Sequence, residues 1–504
     1  MNSRIGQEED GNAGNLPLAR RILAHAQETP QAPAVIDDGR VFSYAQLLSL
    51  AQSLAAGLPG PHGTGIGIIA HKSARTIALI LGTLLVERPA LLLAPTMSTE
   101  RQLSVMRTAG IRTRIEPGTR GEATTVSDAD HSQPDDEEVA GVRGGDLLFT
   151  TSGTTGTPKV VPLQIDAIDR FVAWATAEFE LGPASTLLNL SPLNFDLTLL
   201  EVWTTLANGG CVVLVPPERA VLGSQVLDLV EEHAVDVIQA VPTFFTLMLA
   251  SARGRRMTGV RTLILTGDRV DHATVAELRE TFPVARIVNI YGMTETNDSF
   301  LHVIRDVEQV DRALPIGQPL PGVRVLVRGD DGSVSPFGVG ELFVSTPFQA
   351  QGYLDPVTTS TVFVTFRTAE GPRVYVRTGD LVDRQPDAPT HLLGRMDRRV
   401  KVRGVAIDLA DVERIFQSHP GIAAAAAIAE PDVVEGNRLV VVVQRATPSD
   451  VDLLELRSFS AHRLARGSAP SEFHLTDSGF PMTITGKIDR PRALLAARGT
   501  LERN

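Results

Sequence analysis

From about Leu18 to Tyr291 the chain repeats one pattern: a segment with apolar residues at helical spacing, then a short run in which nearly every residue is apolar. Behind Ser43, which can cap a helix, Leu47, Leu50, Leu54 and Leu58 recur every three or four positions, and Ile66 to Ala70 follows as an apolar run. The alternation continues through Cys211 to Val215 (strand), Gln225 to His233 (helix), Val235 to Ala240 (strand), Leu263 to Thr266 (strand), His272 to Thr281 (helix) and Arg286 to Ile290 (strand). Strands apolar on both faces need cover on both faces, so the pattern predicts α/β layers on largely parallel sheets.

Beyond Tyr291 the texture changes. Pro315 to Val344 is rich in valine, glycine and proline, with Asp330-Asp331-Gly332 between two short strand-like runs, which predicts antiparallel structure. After Gly394 comes the basic stretch Arg395 to Arg403, then a helical pattern (Leu409 to Gln417), two strand-like runs (Ile422 to Ala429, Leu439 to Gln444) and a further helix (Leu453 to Leu464), the mark of a small α+β domain. Glu116 to Gly145, with its acidic run Asp135 to Glu138, reads as a solvated linker.

Composition narrows the function. The chain has 504 residues, enough for two to four domains, with 47 basic against 59 acidic residues and a net charge of −12, so neither nucleic acid nor an anionic membrane is an expected partner. One cysteine, Cys211, excludes a disulfide framework and clustered-cysteine metal sites. The first ten residues do not resemble a secretory signal, and the apolar run Thr76 to Val86 falls short of the roughly 20 residues of a membrane helix. A cytoplasmic location is the expectation.

The stretch Thr150-Thr151-Ser152-Gly153-Thr154-Thr155-Gly156-Thr157-Pro158-Lys159 follows the apolar run Leu147 to Phe149 and precedes a helix-like segment near Leu163. Its composition alone also fits a linker. Its position between strand and helix is where α/β proteins hold phosphate, and its hydroxyls, backbone N–H groups and lysine suit a polyphosphate. It is not a Walker loop, because Pro158 precedes and Val160 follows the lysine; Gly63-Thr64-Gly65-Ile66-Gly67 likewise lacks the third glycine of a dinucleotide fingerprint. No Gly-x-Ser-x-Gly elbow is present.

Residues 152 to 159 resemble the phosphate-loop signature of the adenylate-forming superfamily: acyl-CoA synthetases, firefly luciferase and the adenylation domains of nonribosomal peptide synthetases. Four more segments match in order: Asn289 to Glu295, Tyr375 to Asp380, Gly394 to Gly404, and Pro481 to Arg490. The resemblance implies a large α/β-layered N-terminal core with a small β-barrel-like subdomain (1–396) and a small mobile α+β C-terminal domain (397–504), hinged at Asp397. It implies that Thr151, Ser152, Gly153, Thr154, Thr155, Gly156, Lys159, Asn289, Tyr291, Gly292, Asp380 and Arg395 bind ATP. Asp380 suits the ribose as an acceptor-only group, Glu295 is a hard oxygen ligand for Mg2+, and the resemblance implies that Thr294 and Glu295 are catalytic together with Lys487. Lys487 matches the lysine that drives adenylation in the family.

Asn194 to Glu201 is similar to the segment in which amino-acid-activating members carry Phe-Asp. A carboxylate in an apolar pocket needs a cation, and a substrate ammonium supplies one; the alternative is that Asp196 caps the following helix. The implied pocket is Asp196, Leu197, Leu200, Gln239, Ile264, Thr266, Ile290, Asp298, Ser299 and Lys487. The leucines and Ile290 imply a small side chain, and the pocket is similar to those for alanine and glycine, while Asp298 could meet a second amine or a hydroxyl. Met293, Val160, Arg399, Ala406 and Asp408 depart from the usual family residues without removing a catalytic group. The expected enzyme is free-standing and passes its aminoacyl group in trans to the phosphopantetheine thiol of a carrier protein. Activation of a β-amino or diamino acid, an acyl- or aryl-CoA synthetase, and a non-catalytic nucleotide sensor are the alternatives.

Overall fold

Short, largely apolar and buried strands occupy the centres of two sheets. The computed structural model describes residues 18–61, 63–118, 123–127, 142–151, 158–270, 272–305, 314–396, 399–402, 405–432, 436–447, 449–464, 469–483 and 488–499. Two units are distinguished: Met1–Val325 with Phe343–Arg377, and Leu326–Leu342 with Thr378–Asn504.

In the first unit a nine-stranded sheet runs Gln318–Pro319, Asn297–Ile304, Arg286–Met293, Thr262–Thr266, Val237–Ala240, Thr186–Asn189, Cys211–Leu214, Pro33–Asp37, Arg40–Ser43. Its central strands, from Arg286–Met293 to Pro33–Asp37, are parallel; the outer ones are antiparallel. A six-stranded sheet runs Ala123–Ser127, Thr113–Pro117, Ile66–Ile69, Ala90–Leu93, Leu147–Thr151, Lys159–Leu163, again parallel inside and antiparallel at both ends. The expected α/β class is thus what the chain folds into. Helix Tyr44–Ala56 begins as predicted: Ser43 and Gln46 form a reciprocal capping box, and Tyr44, Leu47 and Ala51 are buried.

One expectation is corrected. Within Glu116 to Gly145, read as a linker, Ala123–Ser127 is a strand paired antiparallel with Thr113–Pro117. Its threonines and valine favour extended backbone, and an edge strand tolerates polar residues that hid it in the sequence.

In the second unit, Val327 and Arg328 pair with Ser335 and Val334 around a turn in which Asp331 Oδ1 accepts from the Ser333 backbone N–H and Gly332 takes φ +79. Towards the end of the chain, Ile422–Asp432, Gly436–Arg445 and Glu472–Thr476 form a three-stranded sheet. Val412, Phe416 and Leu456 pack on one side of it with Val441 and Val443, and Leu494 on the other with Val440 and Val442. The small α+β domain expected near the end of the chain is therefore present.

Candidate active site

Parallel strands in an open α/β sheet leave their carboxyl ends free to hold ligand. Gln239 pairs in register with Ile264, and Thr266 with Ile290, so these four predicted pocket residues lie on one face at the carboxyl ends of three adjacent strands. Strand Arg286–Met293 then reverses into Asn297–Ile304 with a bulge between Tyr291 and Gly292, and Gly292 stands opposite Asp298. The intervening turn, closed by Thr296 N–H to Met293 O at 2.9 Å, carries Thr294 and Glu295.

The Thr294 side chain lies near the carboxylate of Asp196 and acts to lower its pKa. The alternative role for Asp196 does not apply: the following helical segment, Leu199–Thr204, is a π-helix whose N-cap is Thr198, without a side-chain cap. Burial raises the pKa of Asp196, the Thr294 hydroxyl opposes that, and the charge of Glu295 adds to it. Burial and then the charge of Asp196 push the Asp298 carboxyl up to about 7.

Glu295 is buried, and its Oε1 accepts from the Tyr353 hydroxyl at 2.5 Å. Tyr353 also presents its ring to Lys159, whose Nζ lies 5.0 Å from the centroid. Thr151 and Lys159 face each other across the ladder that brackets the phosphate loop. The predicted loop residues Ser152, Gly153, Thr154, Thr155 and Gly156 lie outside the described residues, as do Lys487 and Asp397.

Other predicted residues have local partners. The Asn289 amide donates to Pro315 O at 2.9 Å, the Ser299 hydroxyl to Thr296 Oγ1 at 3.1 Å, and the Tyr291 ring meets Phe300 edge-on at 5.8 Å. Leu200 is buried in the π-helix, and Leu197 O accepts from Gln239 Nε2 at 3.0 Å, so the glutamine amide fixes the backbone next to Asp196. In the second unit Asp380 and Arg395 pair across a ladder, with Arg395 Nη1 donating to Asp380 Oδ1 at 3.2 Å.

The sequence reading missed a buried polar cluster beneath this pocket. Glu201 accepts from Asn189 Nδ2 at 2.5 Å and from Ser191 Oγ at 2.7 Å, with Gln239 Nε2 at 3.5 Å. The Lys72 ammonium donates to Asn189 O and Leu190 O, and its charge attracts the glutamate without pairing with it directly. Burial pushes the glutamate pKa up and the lysine pKa down. One charge inside the apolar run Leu199 to Trp203 was the available signal.

Among the described residues no group of three His, Cys, Asp or Glu side chains could hold a metal ion. Glu295 fits Mg2+ in another way, as one carboxylate with phosphate oxygens supplying further ligands.

The family model of AMP-binding enzymes matches residues 22–354, and that of the AMP-binding enzyme C-terminal domain matches 411–487. Phenyloxazoline synthase MbtB of Mycolicibacterium paratuberculosis is 31% identical over 491 residues, an overlap covering 94% of this chain and 41% of that protein. Tyrocidine synthase 3 of Brevibacillus parabrevis is 29% identical, with 94% of this chain covered and 7% of that one. The chain thus spans less than half the length of either relative. Two solved structures share the fold. A four-domain nonribosomal peptide synthetase bound to AMP and glycine has a TM-score of 0.78 at 24% identity, covering 95% of this chain and 36% of that one. The o-succinylbenzoate coenzyme A synthetase MenE from Bacillus subtilis, with ATP and magnesium ion, gives 0.77 at 21%, covering 95% and 99%.

Proposed function

The chain belongs to the AMP-binding enzyme family, and from that premise we propose that it is an AMP-forming ligase that activates a small amino acid. A carboxylate oxygen of the amino acid attacks the α-phosphorus of ATP, pyrophosphate leaves, and an aminoacyl-adenylate remains. A carrier protein's phosphopantetheine thiol then attacks the acyl carbon, forming a thioester and releasing AMP. We assign ATP and acid binding to residues 1–396 and the lysine-bearing domain to 397–504. Lys487 is given the adenylation step by the family resemblance, and Asp380 and Arg395 the ribose. Mg2+, held by Glu295, would neutralise phosphate charge.

The observation that carries the substrate class is Asp196. Its carboxylate lies near Thr294, on backbone that Gln239 ties, through Leu197 O, to the strands that carry Gln239, Ile264, Thr266 and Ile290. An amino acid's ammonium supplies that charge with a counter-ion, whereas a fatty or aryl acid leaves it without one. Asp298, facing the charge of Asp196, favours a second reading within the same class: a small diamino acid.

ATP–pyrophosphate exchange across amino, diamino, fatty and aryl acids tests both. Exchange with alanine, glycine or serine supports the first reading and a preference for diamino acids the second. Asp196→Ala abolishes either, and exchange confined to acids lacking an amine refutes both.

A further inference from the structure

Resting on the reading of Glu295 as a magnesium ligand, we propose that Tyr353 is a positioning residue that joins the phosphate-loop lysine to that carboxylate and keeps the two charges apart. One buried side chain touches both. Its hydroxyl donates to Glu295 Oε1 at 2.5 Å, and its ring receives Lys159 Nζ at 5.0 Å from the centroid. A lysine and a glutamate brought together directly would pair, and each would then be less available to phosphate or metal. The phenol prevents this by giving each charge a neutral partner: a quadrupolar face for the ammonium and an O–H for one carboxylate oxygen, which leaves the other oxygen for a cation.

The backbone around Tyr353 is tied to both neighbours. Leu354 N–H donates to Val160 O, next to Lys159, at 3.3 Å, and Ala350 N–H donates to Glu295 O at 2.9 Å. Tyr353 itself is pinned by its N–H to Thr359 Oγ1 at 2.8 Å, by Thr359 Oγ1 to its carbonyl at 2.9 Å, and by edge-on contact with Phe363 at 5.5 Å. The segment 350–354 is therefore a bracket whose two ends hold the proposed metal carboxylate and the lysine side of the loop, with the tyrosine between them.

The hydroxyl and the ring can be separated experimentally. Calorimetric titration with ATP, once in EDTA and once with excess MgCl2, reads binding without any need for the amino acid. Hydrogen bonds that orient a metal's ligands are worth about 10- to 100-fold in metal affinity or activity. Tyr353→Phe keeps the aromatic face, so ATP binding in EDTA should stay at the wild-type value while the gain from magnesium falls about tenfold. Tyr353→Leu removes the face as well and should further weaken binding in EDTA by about threefold, the size of a cation–π contact. Lys159→Met removes the supported ammonium itself and should weaken binding in EDTA by at least that much with Tyr353 intact; unchanged binding in this variant also overturns the proposal, which covers the case in which the leucine variant does not fold. A wild-type gain from magnesium in Tyr353→Phe overturns the proposal, as does equal weakening of ATP binding in EDTA by Tyr353→Phe and Tyr353→Leu. Glu295→Gln separates the two readings. If it loses the gain from magnesium and Tyr353→Phe does not, the positioning role alone fails; if it keeps the gain, the metal role of Glu295 fails and the proposal with it.

Discussion

Glu201 shows how a single charge can organise a pocket without touching its contents. It lies fully buried in the π-helix Leu199–Thr204, takes hydrogen bonds from Asn189 and Ser191, and shares Gln239 with the carbonyl of Leu197, adjacent to Asp196. Removing a buried acceptor leaves its donors unsatisfied, at a cost of about 1–3 kcal/mol. Glu201→Ala should therefore lower the urea-unfolding free energy by at least that order, and a loss below about 0.5 kcal/mol would show that Asn189 and Ser191 find other partners without Glu201. Asp298 offers a pH test of the other carboxylate. Its pKa in the folded chain, about 7, lies above the ordinary value, so the stability it contributes is complete below that ordinary value and disappears as pH rises through about 7. Wild-type protein should lose more unfolding free energy between pH 5 and pH 8 than Asp298→Asn does, and equal losses would contradict the assignment.

Elements differed in how plainly the sequence announced them. The apolar runs at Ile66, Cys211, Thr262 and Arg286 and the capped helix at Ser43 were legible because burial on both faces and helical spacing are local properties. The π-helix was not, since its i to i+5 geometry has no hydrophobic period in a six-residue stretch, and Ala123–Ser127 was hidden by its polar composition. Within the site, motif residues could be named, but their pairing could not. Gln239 meets the backbone beside Asp196, and Tyr353 meets Glu295 and Lys159, only because segments far apart in sequence converge on one edge of the sheet. The turn that holds Thr294 and Glu295 depends on Gly292, where an added Cβ would lie 2.3 Å from Asn297 O. Gly292→Ala should then cost about 1–3 kcal/mol of stability, the range for overpacking, and should impair ATP–pyrophosphate exchange beyond what the fall in folded fraction explains. Thermal melts beside exchange rates check this; a variant with wild-type exchange would show that the turn tolerates displacement.

For the whole molecule the difficulty is that two reactions are assigned to one aminoacyl-adenylate. Lys487 must reach the phosphate for adenylation, and the carrier's thiol must then reach the same mixed anhydride, so one placement of the lysine-bearing domain serves the first event better than the second. We therefore propose that this domain rotates between the steps, with Asp397 as the pivot the family resemblance indicates. Asp397 falls between strands His391–Arg395 and Arg399–Val402, in a segment outside the described residues. Proline fixes φ and removes the backbone N–H, which restricts a hinge without deleting any group proposed for catalysis. Asp397→Pro should leave ATP–pyrophosphate exchange within about threefold of wild type while aminoacyl transfer to carrier protein falls by about a hundredfold, a loss confined to the step that requires rotation. Exchange and single-turnover loading of carrier, measured on the same preparation, separate the outcomes. Equal losses would point to a damaged fold, and undiminished transfer would remove Asp397 from the hinge.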